Sequence, residues 1–101
     1  MATFDAHVRR ALDSLPPDLA AKLENLAVVV QDENPEEPDL FGLFEQDEYL
    51  PAQITIYRRP LQEEFGDDPA ALEAEIRITV LHELAHYFGI DEDRLDELGY
   101  A

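Results

Sequence analysis

The sequence predicts an α+β fold in which a short mixed sheet packs against a long central helix. Apolar residues recur at helical spacing near the N-terminus, short apolar runs further along have the composition of strands, and residues 70–88 form one long helical segment. A chain of 101 residues has the usual length of one domain. We therefore expect residues 1–101 to form a single domain around that helix.

An amphipathic helix is predicted over residues 4–14, where apolar side chains recur one turn apart. Pro16 and Pro17 interrupt it, and a short second helix then extends to Leu23, because proline is accepted in the first turn of a helix. His7 lies near the N-terminus and is expected at the surface.

Three strands are predicted in the middle of the chain. Residues 26–30 are apolar and β-branched, which indicates a buried strand, and an acidic loop over 32–39 follows them. Residues 40–44 predict a second strand, in which Gly42 leaves room for close approach of another backbone. Residues 54–57 alternate in polarity, which is typical of a half-buried strand.

The long helix begins at Asp68 and Pro69, an acidic N-cap followed by proline at the first helical position. From Ile78 onward apolar side chains lie on nearly every side, so this part is expected in the middle of the domain. Gly89 ends the helix. A last short helix is expected from the acidic residues 91–93 to about Leu98.

The charge balance restricts the classes of partner. The sequence contains seven Lys and Arg and 24 Asp and Glu, which gives a formal net charge of −17. This charge repels phosphate backbones and anionic lipid surfaces. We therefore expect no nucleic-acid or membrane partner, whereas metal ions and basic peptides are favoured. The simpler interpretation of the charge is solubility. No secretion signal or membrane segment is evident, so a cytoplasmic monomer is expected.

The segment that carries chemistry is residues 82–86, which read H-E-x-x-H inside the predicted long helix. Residues four apart share one helix face, so His82 and His86 can bind the same zinc ion. Glu83 lies about 100° around the helix and would act on a metal-bound water as general base and then general acid. The alternative is two core histidines satisfied by hydrogen bonds, which would bury costly polar groups in an apolar helix.

A catalytic zinc site needs a third protein ligand. The chain has no cysteine, so that ligand is an imidazole or a carboxylate. Gly89 can turn the chain back toward the metal. In metzincins, H-E-x-x-H-x-x-G-x-x-H places the third ligand three residues after this glycine, a position held here by Glu92. Asp93 and Asp91 are alternatives, although acidic residues also favour the start of any helix.

Three further residues are candidates for supporting roles. Thr79 lies one turn before His82 and is a candidate to hydrogen-bond a metal-binding imidazole. Tyr57 lies on a strand whose backbone could pair with a substrate peptide, or it is an ordinary aromatic residue of the sheet. Tyr100 is a candidate to stabilise an oxyanion, or it simply packs.

The chain resembles the minimal zincin-like metallopeptidases, short bacterial proteins with an H-E-x-x-H-x-x-G-x-x-D pattern. The resemblance is carried by residues 16–18, 54–58 and above all the run from Ile78 to Tyr100. It implies the zincin scaffold, one zinc ion and an acidic third ligand, at the place of Glu92. No Met-turn of the metzincin kind can form, since the only methionine is Met1.

Two functional hypotheses follow. The first is a zinc peptidase that hydrolyses peptide or protein substrates. The second is a metal-binding interaction module with little general proteolytic activity, or a protease of narrow specificity that cuts one regulatory protein. It is motivated by the length of the chain, because about 100 residues leave few side chains to line a deep cleft.

Overall fold

The structure is a computed structural model that describes residues 3–49 and 51–89, together with Asp93 and Glu97. Along these residues, helices precede and follow three consecutive strands of a small mixed sheet, so the predicted α+β class is confirmed. The elements are α1 (Phe4–Asp13), α2 (Pro17–Lys22), a short 3-10 helix (Leu23–Asn25), β1 (Ala27–Gln31), β2 (Gly42–Glu45), β3 (Gln53–Tyr57), α3 (Arg58–Phe65) and α4 (Pro69–Phe88).

The ends of α4 follow from local chemistry. The Asp68 carboxylate accepts hydrogen bonds from the N–H groups of Ala70 and Ala71. Pro69 lies in the first turn, where the backbone N–H of a residue makes no hydrogen bond within the helix, so the N–H that proline lacks is not needed. Gly89 ends the helix in the left-handed conformation, with φ of 66°. Both predicted boundaries of this helix are confirmed to within one residue.

The sheet has the order β1-β3-β2, with β3 parallel to β1 and antiparallel to β2. The prediction that the first strand is buried is wrong, because β1 is an edge strand and none of its residues is fully buried. The prediction that the third strand is half-buried is also wrong. β3 is the central strand, and its last four residues are buried.

The core lies between the sheet, α1 and the buried residues of α4, which run from Leu72 to Ala85. His7, expected at the surface, is only 8% exposed. Its Nδ1 lies 2.7 Å from a carboxylate oxygen of Glu73 on α4, and Arg10 approaches the same oxygen at 3.3 Å. The polar ring is therefore tolerated at the α1–α4 interface because it has a charged partner there.

The acidic loop after β1 is fastened to the sheet by Asn34. Its side-chain N–H donates to the Tyr57 hydroxyl at 3.0 Å, while its side-chain oxygen accepts from the N–H groups of Glu36 and Glu37 at 2.8 and 2.9 Å. Arg58 adds an ion pair to Asp32 at 2.6 Å. The loop thus has a defined conformation although its composition is that of a solvated linker.

The C-terminal end of α4 leaves the core, contrary to the prediction of a helix buried on all sides. Its last turns present exposed side chains, including His82, His86, Tyr87 and Phe88. Beyond Gly89, Asp93 and Glu97 are helical and exposed, and the rest of the predicted last helix lies outside the described residues. None of the described helices has both the length and the apolar character needed to cross a bilayer.

Candidate metal and catalytic site

The H-E-x-x-H residues lie where α4 leaves the core. His82 and His86 are one turn apart and both exposed, with 77% of the His86 side chain accessible. The Glu83 side chain turns toward the sheet and is only 17% exposed. Because the imidazoles are accessible, the cost of burying them, which argued against two core histidines, does not arise. The segment places two exposed imidazoles beside one sheltered carboxylate.

The Glu83 carboxylate lies between α4 and β2. Its Oε2 accepts a hydrogen bond from the main-chain N–H of Phe44 at 3.1 Å, and the same oxygen lies 3.8 Å from Nδ1 of His86. Burial raises the pKa of this carboxyl above its ordinary value, against the opposing effects of the nearby His86 and His82 and the Phe44 N–H. A raised pKa brings the group closer to the range in which a carboxylate exchanges protons readily near neutral pH.

A cleft of about 320 Å³ opens beside this carboxylate, between the loop leading into β2 and one face of α4. It is lined by Asp39, Leu40, Phe41, Gly42, Glu75, Ile78, Thr79, His82 and Glu83. The charged residues among them are all acidic, apart from the imidazole of His82. The cleft therefore presents an acidic wall next to the H-E-x-x-H segment.

Two residues bring β2 close enough to α4 to form this arrangement. A Cβ on Gly42 would lie 2.5 Å from the Thr79 methyl carbon, so only glycine fits without movement. The hydroxyl of Thr79 donates to the Glu75 carbonyl at 2.8 Å, which turns its methyl group toward the strand. The structure does place a close neighbour at Gly42, but that neighbour is the Thr79 side chain and not another backbone. The role predicted for Thr79 beside an imidazole stays a prediction.

Aromatic rings border the site on the side of β2. The rings of Phe44 and Tyr87 are 4.8 Å apart, and those of Tyr87 and Phe88 are 4.5 Å apart. Tyr87 and Phe88 remain 39% and 38% exposed. The ammonium of Lys22 lies 4.7 Å from the centre of the Phe88 ring, which links α2 to the end of α4.

The described residues supply two of the predicted metal donors. Within residues 3–49, 51–89, 93 and 97, no three His, Asp or Glu side chains converge into a group that could hold a metal ion. Glu92 and Asp91 lie outside the described residues, as does Tyr100, and Asp93 is an exposed helical residue. The choice of third ligand therefore stays a prediction.

Of the two interpretations of Tyr57, the structure favours an ordinary aromatic residue of the sheet. It is on the central strand, where both neighbours, β1 and β2, already occupy the sheet edges, and it is only 2% exposed. A peptide cannot pair with its backbone there without displacing a strand. The structure instead brings Phe44 of β2 to the site through its main-chain N–H, a contact that no side-chain pattern in the sequence signals.

A family profile described as zincin-like metallopeptidase matches residues 23–100 of the chain. The match takes in the sheet, the cleft and the whole H-E-x-x-H segment, while α1 and α2 lie before it. No curated protein sequence matches the chain.

Proposed function

The chain belongs to the zincin-like metallopeptidase family, and on this premise we propose that it is a zinc-dependent peptidase. His82 and His86 hold the metal, with Glu92 or a neighbouring carboxylate as third ligand. The observation that carries the proposal is the sheltered Glu83 carboxylate, fixed beside the cleft and within 3.8 Å of an exposed imidazole on the same helix.

The donor chemistry suits zinc. Imidazole nitrogens with one carboxylate form a common ligand set of catalytic zinc, and a spacing of one helical turn directs two imidazoles to one side. The exposed position of both rings leaves space for an ion in front of them, and Gly89 ends the helix one turn after His86 in the left-handed conformation. A zinc ion held there would supply Lewis-acid chemistry, which polarises a peptide carbonyl and makes water acidic enough to be a nucleophile near neutral pH.

Glu83 performs the proton transfers. As general base its carboxylate takes a proton from the attacking water, and as general acid it returns that proton to the leaving amine. Burial raises the pKa of this carboxyl, which favours its protonated form between the two transfers. The cleft beside it accepts the substrate chain, and its acidic lining favours peptides with basic side chains.

The test is a pair of variants assayed on a peptide library read by mass spectrometry. Glu83→Gln keeps zinc at one equivalent and abolishes cleavage, because the amide cannot take the proton. Glu64→Gln, a surface glutamate of α3, is the matched control and cleaves like the wild type. A Glu83→Gln variant that cleaves at the wild-type rate contradicts the mechanism.

Metal content is tested separately. His86→Ala loses bound zinc, whereas His7→Asn retains it, because His7 is engaged with Glu73 and lies on another element. Equal zinc content in both variants contradicts the ligand assignment.

A second candidate is a metal-binding interaction module, or a protease of one partner protein. It is favoured by the exposure of His86 and by a cleft of about 320 Å³, near the low end for small-molecule sites. Zinc-loaded protein that cleaves no member of a broad library, yet binds or cuts one protein partner, supports this candidate.

A further inference from the structure

The hydrogen bond between β2 and the Glu83 carboxylate is not a by-product of sheet formation. The N–H of Tyr57 donates to the carbonyl of Phe41 at 2.9 Å, so this pair is a hydrogen-bonded pair of the antiparallel ladder. Such pairs alternate with pairs that do not exchange hydrogen bonds. With Phe44 opposite Ile54, Phe44 falls in the second class, and its N–H points away from β3 toward the free edge of the sheet.

An outward N–H on an edge strand normally meets water. Here it meets Oε2 of Glu83 at 3.1 Å. The other carboxylate oxygen, Oε1, has no hydrogen-bond partner among the residues that the structure describes. The strand thus distinguishes the two oxygens of this carboxylate, because it holds only Oε2.

The strand is itself held in place on both sides of this bond. Gly42, two residues earlier on the same face, packs directly against the Thr79 methyl group. The ring of Phe44 packs on Tyr87, one turn after Glu83 on α4. The N–H is therefore presented by a strand whose distance from α4 is fixed by contacts that do not involve the carboxylate.

We infer that the main-chain N–H of Phe44 is a positioning group for Glu83, which holds the carboxylate by Oε2 beside the cleft and the imidazole of His86 for its proton transfers. The inference rests on the proposed function, because it assigns the general base its orientation. A glutamate side chain has three rotatable bonds, and a hydrogen bond to the charged carboxylate reduces the number of orientations that it samples. Proton transfer depends strongly on such alignment.

The contact can be removed without breaking the sheet. Phe44→Pro deletes the N–H and leaves the β2–β3 ladder intact, because this N–H is not part of the ladder and proline is accepted at such edge positions. Phe44→Ala is the matched control, since it keeps the N–H and loses the same ring contact with Tyr87. The comparison of these two variants isolates the hydrogen bond from the side chain.

We expect the kcat of Phe44→Pro to fall roughly 10- to 100-fold below that of Phe44→Ala, the range for loss of a hydrogen bond to a charged acceptor. KM and zinc content stay equal in the two variants, because neither the cleft nor the imidazoles are altered. Equal kcat values in the two variants, with equal melting temperatures, overturn the inference while the peptidase proposal stands.

Hydrogen exchange supplies a readout that does not depend on activity. In the full chain, Glu83→Ala accelerates exchange of the Phe44 amide by about tenfold, because the amide loses its acceptor. The Leu43 amide, which lies in the ladder with Thr55, is the internal reference and stays unchanged. A Phe44 amide that exchanges equally fast in both proteins overturns the inference.

The two proposals fail in different ways. If Glu83→Gln cleaves at the full rate, the peptidase mechanism fails, and the assignment of a catalytic purpose to the Phe44 contact fails with it. If Glu83→Gln is inactive but Phe44→Pro matches Phe44→Ala, only the positioning role is lost. A zinc-loaded wild type that cleaves neither library peptides nor any protein partner overturns both.

Discussion

Replacing Gly42 with alanine tests whether the close packing of β2 on α4 holds the site together. The backbone at this position is not left-handed, so alanine adopts it without strain. The obstacle is the new Cβ, which would lie 2.5 Å from the Thr79 methyl carbon and 3.3 Å from the Thr55 carbonyl oxygen. Since ordinary contact begins near 3.4 Å, strand and helix must separate by about 1 Å.

The cost can be estimated from two opposing effects. Overpacking of this kind costs about 1–3 kcal/mol. Replacing glycine with alanine in a strand also stabilises the folded state by about 0.5–1 kcal/mol, because the unfolded chain then has less backbone entropy to lose. The net loss in the free energy of unfolding therefore spans about 0–2.5 kcal/mol and is centred near 1 kcal/mol. For a domain of this size, a loss of about 1 kcal/mol lowers the melting temperature by roughly 4–8 °C.

Thr79→Ser supplies the matched background. Serine lacks the methyl group that collides with the new Cβ and keeps the hydroxyl that donates to the Glu75 carbonyl. We expect Gly42→Ala to cost about 1 kcal/mol less in the Thr79→Ser protein than in the wild type, measured by urea unfolding monitored by circular dichroism. The reasoning is refuted if the cost is the same in both backgrounds, or if Gly42→Ala raises the melting temperature.

Three further perturbations have defined outcomes. Asp68→Ala removes the N-cap of α4 and lowers the free energy of unfolding by about 1 kcal/mol. Asp67→Ala, at the exposed neighbouring position, changes this free energy little, and the midpoints of urea unfolding distinguish the two variants. The hydrogen bond from His7, together with the nearby Arg10, lowers the pKa of Glu73. The contribution of the Glu73 carboxylate to stability is therefore present above the ordinary glutamate pKa and is lost as the pH falls through the lowered value. The advantage of the wild type over Glu73→Gln in melting temperature therefore shrinks as the pH falls from the ordinary glutamate value of 4.5 through the lowered pKa, and a constant difference contradicts the assignment. Cleavage of a lysine-rich peptide slows several-fold between about 20 and about 500 mM salt, because the charge of −17 attracts it, while a neutral peptide shows no such dependence in kcat/KM.

The sequence predicts well those features that depend on neighbouring residues alone. The N-cap at Asp68, the proline after it and the left-handed Gly89 define α4 through hydrogen bonds that span only a few residues. The need for a small residue at Gly42 is predictable as well, although the neighbour it accommodates is the Thr79 methyl group and not the backbone that the sequence predicts. The H-E-x-x-H segment is recognisable because both its spacing and its helix are local.

The errors all concern which elements lie next to one another. Strand composition does not state the order of strands, so the sequence wrongly predicts a buried β1. His7 is predicted at the surface because its partner, Glu73, is 66 residues away. The Phe44 contact escapes prediction because a main-chain N–H is the same in nearly every residue and leaves no trace in the sequence.

The side-chain hydrogen bonds of Asn34 determine where a label can be attached to the protein without disturbing the site. Both ends of its amide are engaged, so a fluorophore or epitope inserted near it would compete with three hydrogen bonds and disturb the segment that leads into the cleft. The tip between β2 and β3 offers a better attachment point, since residues 46–49 are exposed and Tyr49 is 90% accessible. A reporter placed there sits at the end of the edge strand that contacts Glu83.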